Sequence, residues 1–548
     1  RKPAAILAAA VLLALAAVLA FRGWDRWVED RLARWAAGEV ARRSGGVYRL
    51  TLGDLGFLPL AGTISCDSAS LTTDTVRNRR RARPLPVVAW RGHECRVAGL
   101  DVPRLLFLET FAARELGCRR AEASVGLITP EREERRNRTD AAAGDAPLDE
   151  ARGLGLRSLR VSRIAFPSLR LSLARPGEDG GLSVLLEHAR FAAEDIEFDP
   201  GATPGEERVL SAGGAHLEAT GLVLRPDTLS EIAVARLEAS FTDSTLMLAG
   251  AKREPPIPES EWARRVKVRK DRLTFTLDTL RARGDAWREF LATGDLAVRA
   301  LELGGARLDV LSDRRIPRGP PRRHRTPQQW AASPGAALRI DSVVVTGSIA
   351  YRERRPERDR PGRVGFDGLR ATVLNLDRPS RGRPLRIAAR ARVMDAGVLT
   401  VEATVPLDAP DFRYELAGRL GTMPAEAFNR FLSLNEPFEF EDGRVERIDF
   451  RQTAQDGRVR TVLTPRYRDL SVSPTGEGGG LLGDVVREVK ELVANALVVR
   501  SRNPEENGED LRVARTTRRY DPTSTWIQFL WFSLRDALME GIKERPKR

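Results

Sequence analysis

From Ser44 onward, apolar residues recur at every second position in short runs. Tyr48, Leu50 and Leu52 alternate with Arg49 and Thr51, and Leu169, Leu171 and Leu173 with Arg170 and Ser172. Leu273, Phe275 and Leu277 are separated by threonines, and Val343 and Val345 by Val344. Similar runs pass through Leu296–Leu303, Ile349–Tyr351, Val373–Leu376, Val401–Leu407 and Val445–Phe450. A period of two over four to eight residues predicts strands with one apolar face, the pattern of an antiparallel sheet. Turn signals lie between the runs: Pro176-Gly177, Asp199-Pro200-Gly201, Gly304-Gly305, Asp395-Ala396-Gly397, Asp442-Gly443 and Asp456-Gly457. Arg352 to Arg363 reads as a long hairpin tip.

Helical spacing is rare. It predicts short helices over Leu105–Leu116 and Ala425–Leu434, the second led by Pro424. Two amphipathic helices are expected near the end, Leu481–Val499 and the aromatic-rich Trp526–Ile542. The second has an alternative to core packing, which is docking on a membrane or a partner. Trp24, Trp27, Val28, Leu32, Trp35 and Ala36 also fall at helical spacing. Ahead of them, the unbroken apolar run Ala4–Phe21 follows Arg1 and Lys2. Eighteen residues at 1.5 Å rise reach about 27 Å, near the thickness of a hydrocarbon core. Two readings fit: a membrane anchor with a cytoplasmic N-terminus, or a signal peptide cleaved after Val18-Leu19-Ala20. Either one exports the rest of the chain.

Composition narrows the class. The chain has 548 residues, of which 42% are apolar, too many for a disordered chain. A mean hydropathy of −0.32 excludes a polytopic membrane protein. The net charge of +14 is carried almost wholly by arginine. Three charged stretches read as loops or linkers: Arg77–Pro86, Pro130–Arg152 and Asp313–Gly335. Their basic runs lack interleaved aromatics and mix both signs of charge, so they are not read as a nucleic-acid site. The expected segments are 1–22 as transmembrane anchor and 23–140 as helix plus first β segment. A central β-rich part follows at 141–325, a C-terminal β-rich part with a closing helix at 326–500, and a tail with the aromatic helix at 501–548.

Catalytic material is scarce. His93, His188, His216 and His324 are scattered, and there is no nucleophile elbow, zinc-protease, P-loop or C-x-x-C motif. Gly478, Gly480 and Gly483 match G-x-G-x-x-G, but no βαβ alternation accompanies them. Cys66, Cys95 and Cys118 allow one disulfide with one thiol left over, and nothing in the sequence chooses the pair. The reading is a non-enzyme with no cofactor and no metal.

If successive hairpins lie side by side, about twenty strands at ~4.8 Å each give a long, curled antiparallel sheet of ~100 Å. Its apolar side is then an elongated groove that too few helices exist to cover. The candidate lining residues are Leu159, Val161, Leu169, Leu171, Leu173, Leu273, Phe275, Leu277, Val343, Val345, Val401 and Val405. An exposed apolar strip of that size needs a ligand, and an acyl chain matches it.

Several segments carry a resemblance. They are the N-terminal apolar run, Leu50-Thr-Leu-Gly-Asp-Leu55 through Leu60-Ala-Gly-Thr-Ile-Ser65, Gly347-Ser-Ile-Ala-Tyr351 and Val364-Gly-Phe-Asp-Gly-Leu369. Ala371-Thr-Val-Leu-Asn-Leu376, the run from Leu416 to Asn429, Asp442-Gly443-Arg444-Val445 and Arg466-Tyr-Arg-Asp-Leu470 complete the set. Together these segments, spread over most of residues 1–500, resemble the AsmA-like proteins, relatives of the TamB and YhdP group of bacterial bridge-like lipid carriers. The resemblance implies an inner-membrane anchor, a periplasmic β-groove, and a role in phospholipid traffic and outer-membrane integrity. It also links the chain to outer-membrane protein assembly. The alternative function is therefore a scaffold that binds envelope proteins by strand addition.

Overall fold

The computed structural model describes residues 44–58, 61–80, 87–101, 103–104, 110–126, 158–175, 182–198, 210–284, 296–475, 499–505 and 511–543, with short breaks at 212, 228–229, 335–336 and 437. It also describes helical positions between 29 and 42, within the stretch where a helix is expected after the apolar run. That run, the Leu481–Val499 helix apart from Val499, and the 478–483 glycines lie outside the described residues. Contacts divide the chain into two compact units, Arg1–Asp243 and Ser244–Arg548.

The first unit is a sheet of β1 (Tyr48–Leu58), β2 (Thr63–Thr73), β3 (Val87–Ala98), β4 (Thr110–Gly126), β5 (Ser158–Arg175), β6 (Leu182–Phe198), β7 (Leu210–Ser211), β8 (Gly214–Asp227) and β9 (Ser230–Ser240). A single turn of helix, α1 (Thr75–Arg79), is capped by the Asp74 carboxylate, which accepts from the Arg77 N–H. Neighbouring strands run antiparallel, with one exception: β4 and β5 are parallel.

The second unit holds β10 (Thr245–Glu254), α2 (Glu259–Arg265), β11 (Arg272–Arg283), β12 (Leu296–Asp313), α3 (Pro327–Ala331), β13 (Leu338–Arg354), β14 (Gly362–Arg378), β15 (Leu385–Val393), β16 (Gly397–Val405), β17 (Tyr414–Leu420) and β18 (Met423–Pro424). After a 3-10 turn at Ala425–Phe428 come α4 (Asn429–Asn435), β19 (Phe438–Gln455), β20 (Arg458–Pro474), β21 (Ala514–Arg519) and α5 (Trp526–Ile542). Again one pair, β12 with β13, is parallel.

The fold is mainly β, as the alternation predicts, but the sheets are mixed rather than wholly antiparallel. Parallel neighbours need a crossover of a dozen residues or more. The two long charged stretches that read as linkers supply them: one joins β4 to β5, and the segment around residue 325 joins β12 to β13. Each parallel pair is built around a glycine facing an alanine, Gly117 with Ala165 and Gly347 with Ala306. In both, a side chain on the glycine would run into the alanine's carbonyl oxygen.

Most strands of the first unit interrupt their own alternation. Two successive residues face solvent between inward apolar ones: Asp67 and Ser68 between Cys66 and Ala69, His93 and Glu94 between Gly92 and Cys95, Arg119 and Arg120 between Cys118 and Ala121, Glu187 and His188 between Leu186 and Ala189. Left-handed residues mark the same level in β1 (Asp54, φ 47°), β3 (Glu94, φ 51°) and β8 (Gly221, φ 69°). The interruptions lie opposite one another, with Gly53 facing Ser68, Ser68 facing His93, and His93 facing Arg120. Such irregularities bend a strand and raise its twist, so a line of bends crosses the sheet.

One departure from expectation follows from these interruptions, and another, in the second unit, from glycines inside strands. Thr110–Leu116 is strand, not helix. An exposed pair, Arg114 and Glu115, spaces Ala113 and Leu116 three apart and imitates a helical period. Gly304-Gly305 and Asp442-Gly443 are not turns but lie within β12 and β19, with Gly305 left-handed (φ 66°). By contrast, Asp395-Ala396-Gly397 and Asp456-Gly457 do turn hairpins.

The main core of the second unit gathers Val405, Tyr414, Ala454 and Val459 under Phe529 of α5 and Ala331 of α3. Gln452, an amide buried in this core, is fully satisfied. It accepts from the Tyr414 hydroxyl and donates to Thr461 Oγ1 and the Leu530 carbonyl. A charged cluster pins α2 and the strand ends: Arg352 bonds both Asp309 and Glu259, and Arg354 bonds Glu259.

Beside this cluster, Arg315 grips the wholly buried Asp313 (Nη2–Oδ2 2.7 Å). Burial works against the Asp313 charge, but side-chain and backbone hydrogen bonds from Arg315 hold its carboxyl below the ordinary aspartate value. A lowered folded-state pKa gives stability that is complete above the unfolded value of about 3.9 and lost as pH falls through the folded one. Acid unfolding should therefore steepen below that range, by at most about 1.4 kcal/mol per pH unit for this proton. Asp313→Asn should remove that part of the slope in a pH series of urea melts.

Candidate functional site: apolar rows across each sheet

Facing residues on paired strands share a side of the sheet. In the first unit, one row runs Leu50, Leu71, Trp90, Ala123, Leu171, Leu186, Leu222 and Val234, each opposite the next. A second runs Leu52, Ala69, Gly92, Ala121, Leu169, Ala189, Ala219 and Leu237. Leu173 lies in a third, between Val125 and Val184, and Val161 in a fourth, between Ala113 and Ile196. Leu159 pairs with Phe111 and Phe198 in register.

The second row is the surprise. It lies beside the line of bends, and five of its eight members are small: Ala69, Gly92, Ala121, Ala189 and Ala219. Ala121, Ala189 and Ala219 are only 2–3% exposed. Alternation alone does not single out these alanines. For Ala121 and Ala189 the signal is a pair of polar residues, Arg119-Arg120 and Glu187-His188, placed just before the small one; Ala219 has no such pair before it.

In the second unit, a row runs Leu248, Leu280, Leu303, Val345, Ala371, Ala389, Val401, Gly418, Phe450, Leu463 and Ala514. Its neighbour carries Leu301, Val343, Val373, Ile387, Ala403 and Leu416. The two ends differ. At the β19–β21 end, α5 lies over the row, with Ala537 against Leu463 and Ala514. From β10 to β15, the members Leu248, Leu280, Leu303, Val345, Ala371 and Ala389 are all partly exposed.

Among the expected lining residues of this unit, Val345 is therefore on the open stretch, and Val343 is buried beside it among Val298 and Ile340. Leu273 and Phe275 are partly exposed and face Val310 and Leu308, while Leu277 is buried. Val405 is only 1% exposed and belongs to the core beneath the helices, with Val401 packed against it. The structure thus splits this set between an open row and a filled core.

The three cysteines form part of the same inner side. Cys66 faces Cys95, Cys95 faces Cys118, and the disulfide joins Cys95 to Cys118. That bond fits an oxidising compartment. Burial, and then the Asp67 carboxylate, pushes the Cys66 thiol above its ordinary value, which disfavours its reactive thiolate. Removing Cys118 leaves Cys95 opposite that thiol. Cys118→Ala should form a Cys66–Cys95 bond under oxidising conditions, read by non-reducing peptide mapping.

Among the described residues, no group of three or more His, Cys, Asp or Glu is placed to hold a metal ion, and no helix is long and apolar enough to cross a membrane. The rows named above contain no titratable side chain. The arrangement offers dispersion contacts and exclusion of water, with no direction imposed along the row. A scan of the chain against protein-family models and a search of curated protein sequences both return no match.

Proposed function

We propose that this chain carries phospholipid acyl chains along the apolar rows of its sheets, as part of the lipid traffic of a bacterial envelope. The observation that carries the reading is the partly exposed row from β10 to β15, six strands wide and apolar at every member. Each methylene taken from water there contributes about 0.8 kcal/mol, so partial cover of an acyl tail offsets much of the cost of leaving a bilayer. Successive positions are alike, so a tail slides without crossing a polar barrier. The likeness to AsmA-like proteins supports the same reading and adds the inner membrane as the site of anchorage. The bulk of the chain then lies in the periplasm, and transfer needs no catalytic residue.

The test uses a phospholipid with a photoreactive acyl chain. Leu169 and Leu171 are partly exposed neighbours in the first unit's rows. Leu169→Asp/Leu171→Asp should bring crosslinking in that unit to background, with the circular dichroism spectrum retained. Crosslinking at the wild-type level, or a purified chain that carries no extractable lipid, would sink the proposal.

A further inference from the structure

Two apolar side chains on α5 face away from the sheet. Ile527 and Trp531 stand one turn apart and are 64% and 55% exposed, while Phe529, Ser533 and Ala537 on the inner side are buried. Trp531 is the only aromatic among the exposed large hydrophobic side chains of the described residues.

The loop ahead of α3 lies against the same end of this helix, because the His324 N–H donates to the Pro522 carbonyl (2.7 Å). The loop is held firmly. Thr326 and Gln329 form a capping box, and Gln328 Nε2 donates to the Pro406 and Arg413 carbonyls. From it project Arg322, Arg323 and Arg325, all exposed and with no ion-pair partner among the described residues. Of the nearby carboxylates, Asp536 is paired with Arg518, and Asp521 accepts from Thr523 and keeps its charge, one carboxylate against three arginines.

We propose that this surface docks on a bilayer bearing anionic phospholipid, with Trp531 and Ile527 entering the interface and the three arginines meeting lipid phosphates. Tryptophan favours the level of the headgroups, and basic clusters add affinity there in proportion to their charge. Two side chains bury far less than the roughly 800 Å² per partner of a stable protein interface. Single-stranded nucleic acid would require successive stacking aromatics, and only Trp531 is present. The inference stands apart from acyl-chain carriage, because docking is measured without any lipid moving.

The full chain, immobilised by an N-terminal tag, is exposed to vesicles of phosphatidylcholine alone or of equal parts phosphatidylcholine and phosphatidylglycerol. Any capture by the N-terminal apolar run is common to all variants. The wild type should capture the anionic vesicles more strongly, and less so as salt rises. Arg322→Gln/Arg323→Gln/Arg325→Gln should reduce that capture by roughly fivefold per arginine. Ile527→Ser/Trp531→Ser should reduce capture of both compositions. All five positions are exposed, so unchanged thermal melts are expected. Equal capture of the two compositions, or capture unchanged in both variants, overturns the proposal. So does self-association of the wild type that the Ile527/Trp531 variant abolishes with no change in vesicle capture, since a second copy would then be the occupant.

Discussion

Truncating Phe529 to alanine is expected to lower the unfolding free energy of the second unit by about 3–5 kcal/mol, the upper range for losing a buried aromatic ring. Phe529 is 1% exposed and sits where α5 meets the sheet, in one cluster with Val405, Tyr414 and Val459. Its ring lies edge-on to Tyr520, with centroids 5.2 Å apart. Tyr520 in turn packs tilted against Phe412, with centroids 4.3 Å apart. The cavity cannot close cheaply, because β16, β17, β19 and β20 form its floor as continuous ladders. Urea melts followed by tryptophan fluorescence test this. Trp531→Ala on the outer side should change stability by no more than about 0.5 kcal/mol. A Phe529 loss below that of the control would show that the helix is not held through this ring.

Gly347→Val should be about as costly, at roughly 3 kcal/mol or more, because no rotamer relieves a Cβ pressed on backbone. The obstacle is the Ala306 carbonyl on the facing parallel strand. Moving it means parting β12 from β13, which pair from Leu296↔Leu338 to Asp313↔Arg354. Gly117→Val in the first unit meets the Ala165 carbonyl and should behave alike. Gly421→Ala is the control, since its nearest contact, the Val398 carbonyl at 3.5 Å, is ordinary. Thermal melts and amide exchange in β12 and β13 distinguish the outcomes. Equal tolerance of valine at 347 and alanine at 421 would contradict the close approach.

The sequence made visible whatever depends on local spacing. The aromatic helix has the expected bounds, Trp526 to Ile542, because its apolar spacing is uninterrupted and Thr525 with Gln528 caps it. The Ala425–Leu434 helix is present with a 3-10 first turn. Leu169 and Leu171 lie on adjacent apolar rows because their strand alternates cleanly between its bends. Features that depend on which strands become neighbours were not legible. Nothing local distinguishes Gly117 or Gly347 from a turn glycine, yet each marks a parallel pair. The Cys95–Cys118 bond depends on the register that sets Cys95 between Cys66 and Cys118. The same holds for Val405, whose alternation matches that of an open lining residue but whose place beneath α3 and α5 is set by distant segments.

The line of paired outward residues also governs what can join the sheet. Within the described residues, β1 pairs in register only with β2, and its other edge is closed at one point, where the Phe57 N–H donates to the Glu29 carboxylate (3.2 Å). An open edge ordinarily invites any extended chain to add to it. Here an incoming strand of unbroken alternation matches β1 on only one side of Asp54. Beyond it, the newcomer's polar positions turn toward the apolar rows, the effect of a one-residue slip. A matching interruption therefore acts as a key: chains that lack it are held along half the edge at most, and the fold is protected from indiscriminate self-templating.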